Sequence, residues 1–290
     1  MALDDRFMTG DAVGFAADMK KLINNKDTSD VKFVIGQTRK VVLAHRSLLS
    51  ARCEVFRAMF TDKSQSHQDP EIPLVLSDMT IDIFLPMLEY IYTNCVTLTR
   101  KNAVDIMGTA VEFGLDGLRQ LCIDYLIETL SVGSACEAMQ AAVTYGQDEL
   151  RNKAQSYVEG NTQNVFKSKS FHELSDTALA TLLSSDRLDM DELEVIDAVR
   201  EWATVNAVVL GKSITDMSRA VVPHIRLPLL SPEELKQVED ESKKDKLIPV
   251  EQFAYAWRYH ALKQPDHSNP LTRKRKGTIA RDSHNGMKSL

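Results

Sequence analysis

The sequence predicts an α+β fold in which a small sheet wrapped by helices is followed by an all-helical region. Three observations support this prediction. Short apolar stretches of strand character are confined to the first 76 residues. From Thr80 onward, apolar residues recur at helical spacing. A pattern of helix, glycine, aspartate and helix then occurs twice, with an offset of 32 residues.

Three short segments predict the sheet. Residues 30–35 have alternating apolar side chains, and residues 40–44 are rich in β-branched side chains. The turn between these two segments predicts a hairpin. Residues 72–76 supply the third strand, after a polar segment at residues 61–70 that ends in proline and is typical of a loop.

Helices account for most of the remaining chain. Two short helices, broken near Cys53, are predicted after the hairpin. Pro86 lies inside the next helix and is expected to kink it or delay its start. A late helix is predicted around Val250 to Leu262. The helix that contains Pro86 has one apolar face, formed by Ile81, Phe84, Leu85, Leu88, Ile91 and Tyr92.

An internal repeat predicts two helical hairpins. The segment AVEFGLDGLRQLCIDYL resembles AVTYGQDELRNKAQSYV, 32 residues later. Gly114 and Gly146 suit the left-handed residue that ends a helix, and Asp116 and Asp148 suit the start of the next one. A spacing of this length is typical of stacked helical pairs, so we interpret the repeat as the beginning of a short helical solenoid.

The charge distribution argues against a nucleic-acid partner. The net charge is −6, although residues 263–290 contain seven Lys or Arg and two Asp. The preceding body is therefore strongly acidic, whereas a phosphate backbone requires clustered cations. No apolar run approaches a membrane span, and the acidic N-terminus does not resemble a secretory signal. We expect an intracellular protein of the cytoplasm, the nucleus or both.

Residues 263–290 are predicted to form a basic, disordered tail, because they are polar and have no apolar periodicity. We expect the folded core to stay intact without them. Within the tail, the run Arg273-Lys274-Arg275-Lys276 has two interpretations. It is a candidate nuclear-import signal or docking patch, or it is part of a solubilising tail.

The sequence contains no recognisable catalytic motif, metal site or cofactor site. The glycine-rich, nucleophile and zinc-binding patterns are missing, and the four cysteines have no C-x-x-C spacing. We expect free thiols, most of them buried. His45 could serve as a general base, but a lone histidine more often makes a local hydrogen bond at the end of a strand. We therefore predict that the protein is not an enzyme.

Arg46 needs an acidic partner if it is partly buried, because an unpaired buried charge is costly. Asp30 opens the neighbouring strand of the predicted hairpin. An Asp30–Arg46 pair could therefore form within one chain or across a dimer.

The motifs D-V-x-F, A-H-R and Y-I-Y-T, in this order, resemble the BTB/POZ domain. AVTYGQDELRNKAQSYV and IRLPLLSPEEL resemble the BACK domain. The resemblance implies a BTB/POZ domain at residues 14–132 and an all-helical BACK domain at 133–262. Residues 1–13 would be an N-terminal segment of the kind that is swapped in such dimers.

The resemblance also implies a homodimer and no cofactor. Asp30 and Arg46 match a charged pocket near the dimer interface of BTB domains. An N-terminal helix is expected to cross the two-fold axis, and its candidates at helical spacing are Phe15, Met19 and Leu22. The alternative is that these three side chains pack on their own subunit.

Many proteins of this kind are substrate adaptors of cullin-3 ubiquitin ligases, and their binding loop carries an apolar residue, any residue and then Glu. The matching residues here are Ser64, Gln65 and Ser66, so both contacts are missing. Tyr92 matches a position at which adaptors touch cullin. No kelch repeats follow, so a protein client would bind elsewhere. The alternative is a dimerising scaffold or transcription-linked cofactor that does not bind cullin.

Overall fold

The computed structural model describes residues 8–61, 72–262 and 269–281. The chain divides into two units, Met1–Glu128 and Thr129–Leu290. The first unit holds a small sheet and six helices among its described residues. All the regular secondary structure described in the second unit is helical. The α+β prediction, with a small sheet first and a helical region second, is confirmed.

The sheet has the order β2-β1-β3 within the described residues, with strands β1 (Val31–Ile35), β2 (Lys40–Ala44) and β3 (Leu74–Leu76). The hairpin of β1 and β2 is antiparallel, and β3 runs parallel to β1. Gly36 begins the hairpin turn with φ +66°, a conformation that glycine adopts without steric cost. The predicted hairpin and third strand are both confirmed.

Helices surround this sheet. Phe33 of β1 lies with its ring centroid 5.7 Å from that of Phe56 and 5.1 Å from that of Phe84, so one aromatic cluster joins the sheet to two helices. The predicted break at Cys53 is present, because this residue is extended between two short helices. The helices of the first unit are α1 (Ala12–Lys20), α2 (Arg46–Arg52), α3 (Glu54–Thr61), α4 (Ile81–Thr93), α5 (Ala103–Glu112) and α6 (Asp116–Glu128).

Pro86 does not delay the start of its helix. Helix α4 begins at Ile81 and continues through Pro86 to Thr93. Phe84, Met87 and Leu88, on either side of the proline, are buried, so tertiary packing offsets the lost backbone hydrogen bond.

The second unit is built around a long helix. Trp202 of this helix is fully buried, and its Nε1 donates a hydrogen bond to the Leu174 carbonyl at 2.9 Å. The helix begins with a capping box at Asp191 and ends at Gly211. The helices are α7 (Ala135–Thr144), α8 (Asp148–Gly160), α9 (Thr162–Phe166), α10 (Asp176–Leu183), α11 (Glu192–Leu210), α12 (Ile214–Ser218), α13 (Pro232–Asp245) and α14 (Val250–Leu262).

The internal repeat corresponds to two helical hairpins, as predicted. Helices α5 and α6 pack together in the first unit, and α7 and α8 pack together in the second. Gly114 and Gly146 have φ values of +63° and +64° between the helices of each hairpin. Asp116 and Asp148 are the first residues of α6 and α8. How the two hairpins stack remains a prediction, because they belong to different units.

The predicted disorder of the tail is wrong for residues 269–281. Residues Pro270–Thr272 form a 3-10 turn, and Arg275 and Arg281 are buried in the second unit. The prediction relied on the lack of apolar periodicity. This segment is instead held by ion pairs and backbone hydrogen bonds, which leave no such pattern.

The left-handed residue of the second hairpin gives the first prediction. Gly146→Ala should lower the free energy of unfolding by about 1–2 kcal/mol, because an L-residue is strained at positive φ. Urea denaturation followed by circular dichroism measures this change. Gly133→Ala is the matched control, since an added Cβ there meets no neighbouring atom and its φ is not left-handed. An equal loss in both variants would contradict the prediction.

Candidate interaction sites

Asp30 and Arg46 meet within one chain, although not as the expected pair of charged side chains. The Asp30 carboxylate accepts a hydrogen bond from the Arg46 backbone amide, with Oδ1 2.7 Å from the nitrogen. Since Arg46 is the first residue of α2, the carboxylate acts as a helix cap contributed by another part of the chain. The contact fastens the start of β1 to the start of α2.

The Arg46 guanidinium lies against an aromatic ring. Its central carbon is 5.1 Å from the centroid of the Phe60 ring, which is within the range of a cation–π contact. Its Nε also donates a long hydrogen bond of 3.4 Å to the Asp30 backbone carbonyl. The first contact places the guanidinium against α3, and the second keeps it beside the start of β1.

His45 is a structural residue at the junction of β2 and α2. Its Nδ1 is 2.9 Å from the Tyr92 hydroxyl oxygen, and its Nε2 is 3.0 Å from Thr28 Oγ1. The His45 backbone amide also donates to the Tyr92 hydroxyl oxygen at 2.8 Å. The hydroxyl group can donate its proton to an unprotonated Nδ1 or accept a second hydrogen bond from Nδ1–H, so the tautomer of the ring sets the direction of this bond. The hydrogen bonding predicted for His45 at the end of a strand is confirmed, although its partners Tyr92 and Thr28 are 47 and 17 residues away and not local in sequence.

Tyr92 is buried within its own chain, and its predicted role as a cullin contact remains a prediction. Its exposed fraction is 4%, and its hydroxyl group faces His45. Burial raises the pKa of Tyr92 to about 12, although the hydrogen bond from the His45 amide acts in the opposite direction. In this chain the phenol serves the junction of β2, α2 and α4.

Helix α1 exposes apolar side chains. Val13 is 81% exposed and Phe15 is 64% exposed, whereas Met19 is half-buried. Leu22 is also half-buried, but it lies in the turn after α1 and not in the helix. The helix packs on α4 in the same chain. Sequence reasoning missed Val13, whose signal was its position two residues before Phe15 on an otherwise small and polar helix.

The remaining predicted site residues fall into two groups. Ser64, Gln65 and Ser66 lie outside the described residues. In the basic run, Arg273, Lys274 and Lys276 are exposed, whereas Arg275 is buried. Four consecutive cations are therefore not presented together in this conformation, as an import signal or docking patch would require.

Metal-binding clusters, membrane-spanning helices and cysteines are considered next for the described part of the chain. There, no three metal-binding side chains come together. None of the helices described is long and apolar enough to cross a membrane. Cys53, Cys122 and Cys136 are buried free thiols and Cys95 is an exposed one, as the sequence predicted.

Two family models match the chain. Residues 19–130 match the BTB/POZ domain, and residues 135–240 match BACK, which is described as "BTB And C-terminal Kelch". The two matches correspond to the sheet-containing unit and to most of the helical unit. No kelch repeat is matched. The limits predicted for the domains, 14–132 and 133–262, remain predictions.

Relatives match over both domains. BTB/POZ domain-containing protein 19 of Bos taurus and that of Homo sapiens are each 40% identical to this chain over 276 residues, which is 95% of this chain and 94% of theirs. BTB/POZ domain-containing protein 9 of Drosophila melanogaster is 31% identical over 227 residues, which is 77% of this chain and 30% of that protein.

The Tyr92 hydroxyl and the Asp30 carboxylate hold the start of α2 in place, and the two matched domains are those of a protein-interaction module. The chain belongs to the BTB/POZ family and carries a BTB/POZ domain followed by a BACK domain. Members of this family are interaction modules and not enzymes.

The helix cap by Asp30 gives the second prediction. Asp30→Ala should lower the free energy of unfolding by about 1–2 kcal/mol, because the first amide of α2 loses its charged acceptor. Thermal and urea denaturation measure the change. Asp27→Ala is the control, since it removes the same charge from an exposed residue nearby. Unchanged stability of the Asp30 variant would contradict the capping role.

The hydrogen bonds of Tyr92 give the third prediction. Tyr92→Phe keeps the buried ring but leaves the His45 amide and Nδ1 without their partner, which should cost about 1–3 kcal/mol of unfolding free energy. Tyr157→Phe, at a half-buried tyrosine of α8, is the control for loss of a hydroxyl group. The prediction fails if both variants unfold at the same urea concentration as the wild-type protein.

Proposed function

We propose that the chain is a homodimeric scaffold, assembled through its BTB/POZ domain with α1 at the interface. The observation that carries this proposal is the exposure of Val13 (81%) and Phe15 (64%) on one short helix. Large apolar side chains that are exposed close together in the chain are candidates for an interaction surface. Met8, which precedes the helix, is also 81% exposed.

The contacts of α1 within its own chain leave this surface uncovered. No residue of α1 is buried. Its ion pair between Lys20 Nζ and Glu89 Oε1, 2.6 Å apart, holds the last turn against α4 and fixes the direction of the helix. A second copy that covers Val13 and Phe15 would add apolar burial that this chain does not supply by itself. Met19 and Leu22, which are half-buried, would support the same interface from their own side.

Asp30 and Arg46 also belong to the proposed dimer region. Asp30 is exposed and Arg46 is half-buried, although their mutual contact already lies within one chain. We propose that they act on dimerisation by fixing the start of α2. Their variants should therefore change folding stability together with dimer affinity, whereas variants of α1 should change affinity alone.

The fourth prediction tests the dimer. Val13→Glu with Phe15→Glu should raise the dimer dissociation constant by about 30-fold or more, the effect of losing one interface hot spot. Sedimentation equilibrium of the full chain measures the constant. Val208→Glu with Val209→Glu is the matched control, because these side chains of α11 are 80% and 73% exposed but belong to the other unit.

Two outcomes would overturn the dimer proposal. A monomeric wild-type chain at micromolar concentration would exclude it directly. Equal weakening by both pairs of substitutions would show that added charge, and not the α1 surface, disturbs association.

A second candidate function is that of a cullin-3 substrate adaptor. The pairing of a BTB/POZ domain with a BACK domain favours it, because this pairing is typical of such adaptors. The sequence Ser64-Gln65-Ser66 opposes it, since an apolar anchor and a carboxylate are both missing and anchors of this kind dominate many interfaces. We therefore propose the scaffold without cullin, such as a transcription-linked cofactor, as the leading function. Its protein client would bind another surface.

Calorimetric titration of the full chain with the N-terminal region of cullin-3 separates the two functions. The scaffold proposal predicts no binding by the wild-type chain. It also predicts binding by a variant with Ser64→Leu and Ser66→Glu, which restores the apolar-x-Glu pattern. A variant with Ser64→Thr and Ser66→Thr is the control for changes in the loop. Micromolar or tighter binding by the wild-type chain would establish the adaptor function instead.

A further inference from the structure

The helical unit encloses the side chain of Arg275, which belongs to the tail. The side chains of Arg275 and Glu192 both have 0% exposure, and Arg275 Nε lies 2.9 Å from Glu192 Oε2. Arg275 Nη1 donates to the carbonyls of Leu183 and Ser185, each at 2.6 Å, and Nη2 donates to the His224 carbonyl at 2.9 Å. This ring of acceptors fits the fixed fork of a guanidinium better than the single ammonium of lysine.

A second acidic site holds Arg281. Its Nη2 and Nη1 lie 2.7 Å and 3.1 Å from the two carboxylate oxygens of Asp191, and its Nε donates to Glu234. Asp191 is the N-cap of α11, and Glu234 belongs to the capping box of α13. Burial opposes ionisation of both acids, but hydrogen bonds that include those from Arg281 outweigh it, so each pKa is below its ordinary value.

The backbone between the two arginines lies directly on the helical unit. The Lys276 amide donates to the Asp186 carbonyl at 2.9 Å, and the Gly277 amide donates to the Leu188 carbonyl at 3.1 Å. A Cβ added to Gly277 would lie 2.1 Å from the Met190 nitrogen, so no other residue fits without displacement. The surface therefore selects an arginine, a glycine two residues later and an arginine four residues after that.

The acidic groups are positioned by their own unit and not by the tail alone. Glu192 Oε1 accepts a hydrogen bond of 2.6 Å from the Arg226 backbone amide, and the Arg226 guanidinium donates to Asp186 at 2.6 Å. If the tail left, the Glu192 carboxylate would keep one hydrogen bond but lose its ion-pair partner. An isolated buried carboxylate is unfavourable, so the vacated pocket would favour another guanidinium.

Docking also engages cationic side chains of the tail in ion pairs. Arg275 is taken out of the basic run 273–276, and Lys276 Nζ pairs with Asp189 Oδ2 at 2.7 Å. Arg226 Nη1 donates to the Arg273 carbonyl at 2.8 Å. Most of these contacts are polar or ionic, which makes a peptide with the same charges an effective competitor.

We propose that the BACK domain contains a binding site for peptides of the pattern Arg-x-Gly-x-x-x-Arg, which the chain's own tail occupies. Glu192 binds the first arginine, and Asp191 and Glu234 bind the second. The backbone of residues 186–190 leaves room only for a glycine between them. Displacement of the tail opens this site to a partner peptide and at the same time releases the basic run.

Peptide binding to the full-length chain tests the proposal. A fluorescent peptide of residues 269–281 is titrated into the wild-type chain and into a variant with Arg275→Ala and Arg281→Ala, which keeps the receptor acids. The variant should bind the peptide about ten-fold more tightly than the wild-type chain, whose site is occupied. A peptide with Gly277→Val is the matched control and should lose this binding. Adding Glu192→Gln to the receptor should weaken binding by a similar factor.

The result that would overturn the proposal is a folded variant that does not bind the peptide, or that binds the glycine and valine peptides equally. If the variant does not fold, hydrogen exchange of the wild-type chain tests the proposal instead. The amides of Lys276 and Gly277 should exchange about ten-fold faster than those of Val199 and Trp202 in α11, because the tail detaches without global unfolding. Exchange at the same rate would mean that the tail is a permanent part of the fold, and the proposal would be wrong.

Discussion

The helical unit depends on a carboxylate that water does not reach. Glu192 stands at the first position of α11, and its side chain has no exposed surface. A carboxylate in this position must be neutralised or paired, since its transfer from water costs several kcal/mol. Arg275 supplies the charge, and the Arg226 amide supplies a further hydrogen bond. The contact therefore determines where the end of the chain lies and joins segments 83 residues apart.

The BTB/POZ domain relies on a smaller group of polar contacts in the same way. The amides of His45 and Arg46, at the start of α2, are satisfied by the Tyr92 hydroxyl and the Asp30 carboxylate. A polar group at this junction thus connects the hairpin, α2 and α4. With these elements fixed, α4 offers a stable support for α1, whose apolar residues remain exposed. In this arrangement His45, Asp30 and Arg46 serve the proposed interaction function by maintaining the fold.

Local patterns predicted most of the fold, whereas contacts between distant residues were missed. The alternating apolar side chains of residues 30–35 predicted the first strand of the hairpin, and Gly114 and Gly146 marked the turns of the repeat. Each of these signals lies within a few neighbouring residues. The burial of Tyr92 could also have been predicted, since it lies on the apolar face of its helix. Docking of the tail could not, because Arg275 and Arg281 are separated from their acidic partners along the chain and resemble any exposed cation. The dimer surface was predicted only through the family resemblance, as exposure of Phe15 cannot be read from sequence.

A double-mutant cycle between Glu192 and Arg275 tests this account most directly. Unfolding free energies are measured for Glu192→Gln, Arg275→Met and the double variant. The account predicts that Arg275→Met alone costs about 3–5 kcal/mol, because it leaves a buried charge unpaired. The double variant should lose at least about 2 kcal/mol less than the sum of the single losses. Additive losses, or an Arg275→Met variant as stable as the wild-type chain, would show that the two groups do not interact in solution and would contradict the account.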